Sequence, residues 1–270
     1  MRKICMVALL CCTILFPQGT ASAAGTESVR VNGRELAQED YITLRSTTYV
    51  ALRSAGAALA PEARISWEGG QAVLRSGTAR LTARPGAQYV ETAGEPLYVP
   101  YGVLARDGRV FLPVRVLAAA LGAGVTWDPS SAAVTVTAGG GEAAPAAGYS
   151  EEDLYWLSRI ISAESRGEPL EGQIAVGNVV LNRVASREFP NTIKEVIFDS
   201  RWGGQFTPVR NGTIYQEPTA QSVIAARLVL GGADVAGKSL YFFAPALTSD
   251  RWISGNRTYV MTIGCHQFYS

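Results

Sequence analysis

Glu164 is the residue best placed to do chemistry in this 270-residue chain. It follows Leu154, Leu157, Ile160 and Ile161 at helical spacing, so a helix here aims a carboxylate at its own apolar side. A carboxyl taken out of water disfavours its ionised form. Its pKa climbs toward about 6 to 7, where a glutamic acid can donate a proton near neutral pH, as the acid of glycoside cleavage must. Gly167 and Pro169 break the helix just beyond it, leaving the carboxyl near a helix end where a crevice can form. From spacing alone, a Glu paired with Arg166, Arg183 or another basic group explains the pattern equally well.

What accompanies Glu164 narrows the chemistry. A retaining glycosidase needs a second carboxylate about 5 Å from the first, and an inverting one needs it roughly 6.5 to 9.5 Å away. Glu168 is the nearest in sequence, but it shares a face with Glu164 only if the helix runs through Gly167 and Pro169, so solvation or capping is its better reading. With one acid, the sugar's own 6-hydroxyl can attack instead. His266 is the single histidine, which leaves a zinc amidase or metalloprotease without ligands; neither metal nor cofactor is expected. Cys265 beside it does not make a nucleophile and base pair, because neighbours on an extended strand point to opposite faces. Gln173 is a candidate to bond the catalytic carboxyl or a sugar, Asn182 a weaker one, with Val176, Val180 and Val184 on the opposite, packed stripe of their helix. Tyr215, Tyr241, Phe242, Trp252, Tyr259 and Phe268 supply aromatic faces of the kind sugars bind, though most read as core.

The elements that must position these groups are legible. Ser150-Glu151-Glu152-Asp153 is a helix start, a serine cap before an acidic first turn, and the helix should run to about Arg166. Pro218 opens a further Ala/Val-rich helix running to Gly231, read as scaffold, with Glu217 near its start. Ahead of all this, residues 139–148 form a small, Gly- and Pro-bearing linker. The N-terminus combines Arg2 and Lys3, an apolar run from Ile4 to Phe16 and Ala21-Ser22-Ala23, the pattern of a secretory signal peptide over residues 1–23. Its removal leaves Cys265 as the one cysteine, so no intramolecular disulfide is expected. A secreted protein of the extracellular space or cell wall follows, without stable membrane insertion. The net charge of +1 gives no field for nucleic acid.

Residues 24–138 contain an internal repeat: Thr48-Tyr49-Val50-Ala51-Leu52-Arg53, with Leu59 and Trp67, is echoed by Val110-Phe111-Leu112-Pro113-Val114-Arg115, with Leu121 and Trp127. Each copy reads as a short strand, a helix and a strand pair, with the tryptophans in the core under arginine stems. From about Val29 to Thr137 this order resembles the copper amine oxidase N-terminal-like, or stalk, domain. The resemblance implies a spacer or wall-associating module; the region has no histidine or cysteine that would suggest copper.

From Leu157 to Phe268 an ordered set of motifs carries a second resemblance. Ala163-Glu164-Ser165-Arg166-Gly167-Glu168-Pro169 leads into Glu171-Gly172-Gln173-Ile174-Ala175-Val176. Val180-Leu181-Asn182-Arg183-Val184, Phe189-Pro190-Asn191-Thr192-Ile193, Gln205-Phe206-Thr207-Pro208-Val209 and Ile263-Gly264-Cys265-His266-Gln267-Phe268 follow. Together they resemble the SleB/CwlJ-type cell wall hydrolases, the spore cortex-lytic enzymes. The resemblance implies a mainly helical, lysozyme-like domain with a few short strands over residues 149–270. It also implies Glu164 as general acid/base at the bond between N-acetylmuramic acid and N-acetylglucosamine, a 1,6-anhydromuramic product, and glycan contacts at Gln173, Phe206, Tyr241 and His266. The chain departs from the family at Tyr241-Phe242-Phe243-Ala244-Pro245, where Asn-Pro is usual, and at Gly264-Cys265-His266, where Gly-Asn-His is usual. The expected fold class is α+β in two domains, and the expected partner is the peptidoglycan glycan strand, of cortex or vegetative wall, with or without a regulatory protein. A noncatalytic peptidoglycan-binding or structural wall protein is the rival reading; a peptidase or amidase finds no site.

Overall fold

The computed structural model describes residues 27–92, 95–141, 148–201, 206–247 and 252–270. The signal peptide, the middle of the linker and Gln205 of the fifth motif lie outside the described residues. What is described is a β-rich N-terminal domain followed by a mainly helical one.

In the first domain, strand Thr47–Ala51 leads into helix α1 (Leu52–Leu59) and strands Arg64–Glu68 and Gln71–Ser76. Later, strand Arg109–Pro113 leads into helix α2 (Val114–Ala120) and strands Gly124–Asp128 and Ala133–Thr137. Thr47–Ala51 and Arg109–Pro113 pair antiparallel, with Val50 opposite Leu112, at the centre of a four-stranded sheet. Ser28–Val31 runs parallel to Ala133–Thr137 and so ties the start of the described chain to the end of the domain. Arg64–Glu68 opens a five-stranded antiparallel sheet that ends at Glu95–Tyr98. Inward residues of these strands and the buried sides of α1 and α2 meet in one core around Val50, Leu52, Leu74, Leu81, Leu112 and Leu117.

The two tryptophans are not in that core. Trp67 is 60% exposed and Trp127 48%. Ile65 packs against the core, but Trp67, two residues on along the same face, comes level with the first turn of α1, where a cleft opens. The expected burial of the indoles in the core therefore does not occur, and neither the Arg53 nor the Arg115 guanidinium lies over a tryptophan ring among the described residues.

The second domain begins at helix α3 (Glu151–Ser165). Ser150 caps it by accepting the Asp153 N–H while the Asp153 carboxylate accepts the Ser150 N–H, a reciprocal capping box. Leu157, Ile160 and Ile161 of α3 are fully buried, as their stripe predicts. Helix α4 (Leu170–Ala185) is central and buried on nearly every side, not amphipathic. The polar stripe expected on it is absent because helix Ile193–Ile197 and strands Tyr241–Phe243 and Tyr259–Ile263 pack on it as well as α3 and α7 (Ala220–Leu230), which also pack on each other. Gly177 permits their approach: a Cβ there would lie 2.9 Å from both Ile161 Cδ1 and Val229 Cγ2. Helix α7 starts two residues later than Pro218 suggests, with Thr219 as its cap. Short helices α5 (Ile193–Ile197), α6 (Thr207–Asn211) and α8 (Trp252–Asn256) and a three-stranded sheet of Tyr241–Phe243, His266–Tyr269 and Tyr259–Ile263 complete the domain. Tyr89 and Tyr98 of the first domain pack against the helical core, and the Tyr149 hydroxyl donates to Glu95 at 3.1 Å. No helix among the described residues is long and apolar enough to cross a membrane.

Candidate active site

Glu164 sits in the last turn of α3, and Arg166 ends the helix with its N–H on the Ser162 carbonyl. The Glu164 side chain makes no hydrogen bond or ion pair among the described residues. Burial pushes its carboxyl up to about 7, opposed by the Arg183 charge. The site thus holds an acid near half-protonation at neutral pH whose oxygens no described residue occupies. That is the condition a proton donor and acceptor needs.

Arg183 reaches this region from α4. Its Nε donates to the Leu240 carbonyl at 2.8 Å, and its guanidinium lies 5.1 Å from the ring centres of Phe189 and Phe206 and 5.7 Å from that of Tyr241. Nη1 is buried without a hydrogen-bond partner among the described residues. Burial lowers the Arg183 pKa to about 10, against the charges of Tyr241, Asp199 and Glu164. Asp199 is held well below the usual carboxylate range, chiefly by hydrogen bonds from Arg201, whose Nε and Nη2 both reach it. The two carboxyls near one buried cation are thus shifted in opposite directions, Glu164 raised and Asp199 lowered, though Asp199 is already engaged by Arg201.

Glu168 belongs to a different arrangement. Its Oε2 accepts the Cys265 N–H at 2.9 Å and its Oε1 lies 3.8 Å from His266 Nδ1, with the side chain 11% exposed. Neither solvation nor capping describes it: Glu168 clamps the hairpin that joins the last two strands onto the turn after Glu164. Gly264, at φ +57° in the two-residue turn, is required for this, since a Cβ there would come 1.8 Å from Glu168 Oε2. Cys265 is exposed in that turn, not on an extended strand.

The predicted glycan-contact residues fall into two groups. Tyr241 is half-buried, close to Arg183, and accepts or orients the Arg257 Nη2–H at 3.0 Å, with the Trp252 ring 6.4 Å away. Phe206 adjoins the same guanidinium but is buried, a wall and not an open platform. Gln173 is fully buried: its Nε2 donates to the Glu168 carbonyl at 3.1 Å and its Oε1 accepts from Ser222 at 2.9 Å. It bonds neither the Glu164 carboxyl nor any surface a sugar could reach. Asn182 likewise ties α4 to the carbonyls of Gly237 and Ser239. His266 is buried edge-on to Phe242 and faces Glu168, with its pKa lowered by burial. Arg183 entered the sequence reading only as an ion-pair partner, and Asp199 with Arg201 carried no signal beyond one acid near one base.

The copper amine oxidase N-terminal domain matches residues 30–136 and 98–147, and the cell wall hydrolase domain matches residues 167–269, just past Glu164. The spore cortex-lytic enzyme of Bacillus cereus is 41% identical over 121 residues, 45% of this chain and 45% of that protein. The chain therefore spans less than half the length of that curated relative. The cell wall hydrolase CwlJ of Oceanobacillus iheyensis is 33% identical over 103 residues, 36% of this chain and 72% of that protein. A solved catalytic domain of a germination-specific lytic transglycosylase, SleB from Bacillus anthracis, is 40% identical over 47% of this chain and 100% of its own, with a TM-score of 0.42.

Proposed function

The chain belongs to the cell wall hydrolase family, and from that premise we propose that it is a secreted enzyme whose second domain cleaves peptidoglycan glycan strands with Glu164 as general acid and base. The observation that carries this reading is the unengaged Glu164 carboxyl at the end of α3, raised by burial to about 7. Glu164 protonates the bridging oxygen of the bond between N-acetylmuramic acid and N-acetylglucosamine, and the C1–O bond breaks with its electron pair passing to that oxygen. The 6-hydroxyl of the same muramic residue then bonds to C1 and its proton returns to the Glu164 carboxylate. The product carries a 1,6-anhydro ring and no water is consumed.

This lytic route is supported by the engagement of the other carboxylates: Glu168 accepts the Cys265 N–H through one oxygen and faces buried His266 with the other, and both oxygens of Asp199 accept from Arg201. Tyr241 and His266 remain glycan-contact proposals. The domains are read as residues 24–138 and 149–270 joined by a linker at 139–148, the first built of two copies of one unit and the second lysozyme-like, with spore cortex or vegetative wall as the setting.

The test is to digest purified cortex and vegetative peptidoglycan with the mature protein and with Glu164→Gln and to weigh the released muropeptides. Anhydro-muropeptides from the parent alone are expected. Hydrated reducing ends would replace the lytic route by hydrolysis, and equal release by Glu164→Gln would remove Glu164 from the chemistry.

A further inference from the structure

The first domain carries two clefts that correspond to each other through its two halves. One, of about 140 Å³, is walled by Arg53 at the start of α1, by Trp67, and by Arg109 at the start of the central strand of the other half. The second, of about 810 Å³, is walled by Arg115 at the start of α2, by Trp127, and by Thr47 at the start of the opposite central strand. Aligned on Thr48–Arg53 and Val110–Arg115, Arg53 stands where Arg115 stands and Thr47 where Arg109 stands, and across the two-residue insertion near Pro61 Trp67 stands where Trp127 stands, each the fourth residue of its strand. The larger cleft extends to Tyr98 and to residues 231–234 of the helical domain, so it lies between the two domains.

Burial does not explain the recurrence of these residues in both halves. Both indoles are about half exposed or more, leaving apolar area in water that most side chains of that size bury. Among the described residues neither Arg53 nor Arg115 has an ion-pair partner, and neither caps a ring. Each cleft therefore offers a flat aromatic face beside an arginine without an ion-pair partner, over a floor of mixed apolar and hydroxyl side chains; the carboxylates that border the larger cleft, Glu27 and Asp234, are already engaged, Glu27 by Thr43 and Thr48 and Asp234 by the Ala236 and Gly237 N–H groups. A partner that fits presents C–H faces of rings at intervals, hydroxyl and amide groups, and carboxylates.

We propose that the paired tryptophan–arginine clefts are glycan-binding sites that hold a peptidoglycan strand outside the active site, the indoles stacking on sugar rings and the arginines meeting lactyl or peptide carboxylates. The identity of the ligand rests on the catalytic reading above; the sites themselves do not. Because the larger cleft borders the helical domain, a strand held there is delivered next to the domain that cuts it.

The experiment uses the full mature chain with Glu164→Gln, so that the polymer is not consumed, and measures the fraction bound to purified insoluble peptidoglycan. Trp67→Ala and Trp127→Ala should each weaken binding by roughly fivefold to thirtyfold, as loss of an aromatic anchor does, and the double change by more. Trp67→Tyr with Trp127→Tyr, which keeps two rings, should bind within about threefold of the parent. A double alanine variant that keeps its unfolding midpoint yet binds within about twofold of the parent overturns the proposal. Digestion by the chain with Glu164 intact separates the two readings. Loss of binding in the double variant with no cleavage by the parent leaves the clefts standing and the catalysis refuted; cleavage with unchanged binding refutes the clefts alone.

Discussion

The two domains treat polar groups in opposite ways. Among the described residues Thr92 is the one buried polar side chain of the first domain, whereas the second buries Ser158, Arg159, Ser162, Ser165, Gln173, Asn178, Arg183, Asp199, Ser222, Ser239 and His266. The first domain keeps an apolar interior and puts its chemically suggestive residues, Trp67 and Trp127, on the outside. In the second, the polar network reaches the core itself, and burying a polar group is costly unless its bonds are met inside. Glu164 is desolvated by burial in the same domain. The contrast teaches that binding surface can be laid over an indifferent core, but an acid with a shifted pKa needs the core built around it.

The largest expected effect lies where that contrast is sharpest. Glu164→Gln should lower glycan cleavage by about a hundredfold to ten-thousandfold, the usual contribution of a positioned acid, while leaving secondary structure and thermal unfolding intact. Muropeptide release against time measures it. A variant with a tenth of parental activity would place the proton elsewhere.

Next come the two cores. Leu112→Ala removes a fully buried side chain from the sheet that joins the halves of the first domain and should cost about 2 to 5 kcal/mol in urea unfolding. The pH dependence of the second domain is of similar size. The Glu164 pKa is raised on folding from 4.5 to about 7, so the folded state binds the proton more tightly. This stabilises the protein below about pH 4.5 and is lost as pH rises toward 7, on the order of 3 kcal/mol in all. Urea midpoints of the parent at about pH 4 and pH 8, set against those of Glu164→Gln, should isolate this slope, and equal slopes would mean the carboxyl is not desolvated. Asn178→Ala should cost about 1 to 3 kcal/mol, because it strands the Ala233 carbonyl and the Val235 N–H that the amide now satisfies at 2.7 and 2.9 Å.

Much of this architecture could be read before any coordinates. The capping box at Ser150, the apolar stripe of α3 and the break at Gly167 and Pro169 are local signals, and together they put Glu164 at a helix end. The Val spacing of helix α4 fits an amphipathic helix as well as a central one; only the packing of α3, α5, α7 and the three-stranded sheet around it decides, and that is a tertiary fact. Gln173 was drawn toward the acid for the same reason. The clamp of Glu168 on the Cys265 N–H joins residues 97 positions apart, and the pairing of Asp199 with Arg201 beside Arg183 is likewise a product of folding that no spacing announces. Trp67 and Trp127 were placed inside because apolar residues on a strand usually are; the shortness of α1 and α2 leaves them uncovered.

The smallest expected effect bears most directly on the comparison. If the first domain is a sealed apolar core carrying a binding surface, Trp67→Ala should change unfolding free energy by no more than about 0.5 kcal/mol, as exposed substitutions do, despite removing the largest side chain there is. Urea unfolding of the parent and the variant decides it. A loss of several kcal/mol would mean that the indole supports the fold and that its exposure does not mark a surface kept for a ligand. A near-zero change would leave the recurrence of tryptophan at both positions without a structural cause. The first domain would then be the part that meets the wall and the second the part that reacts with it.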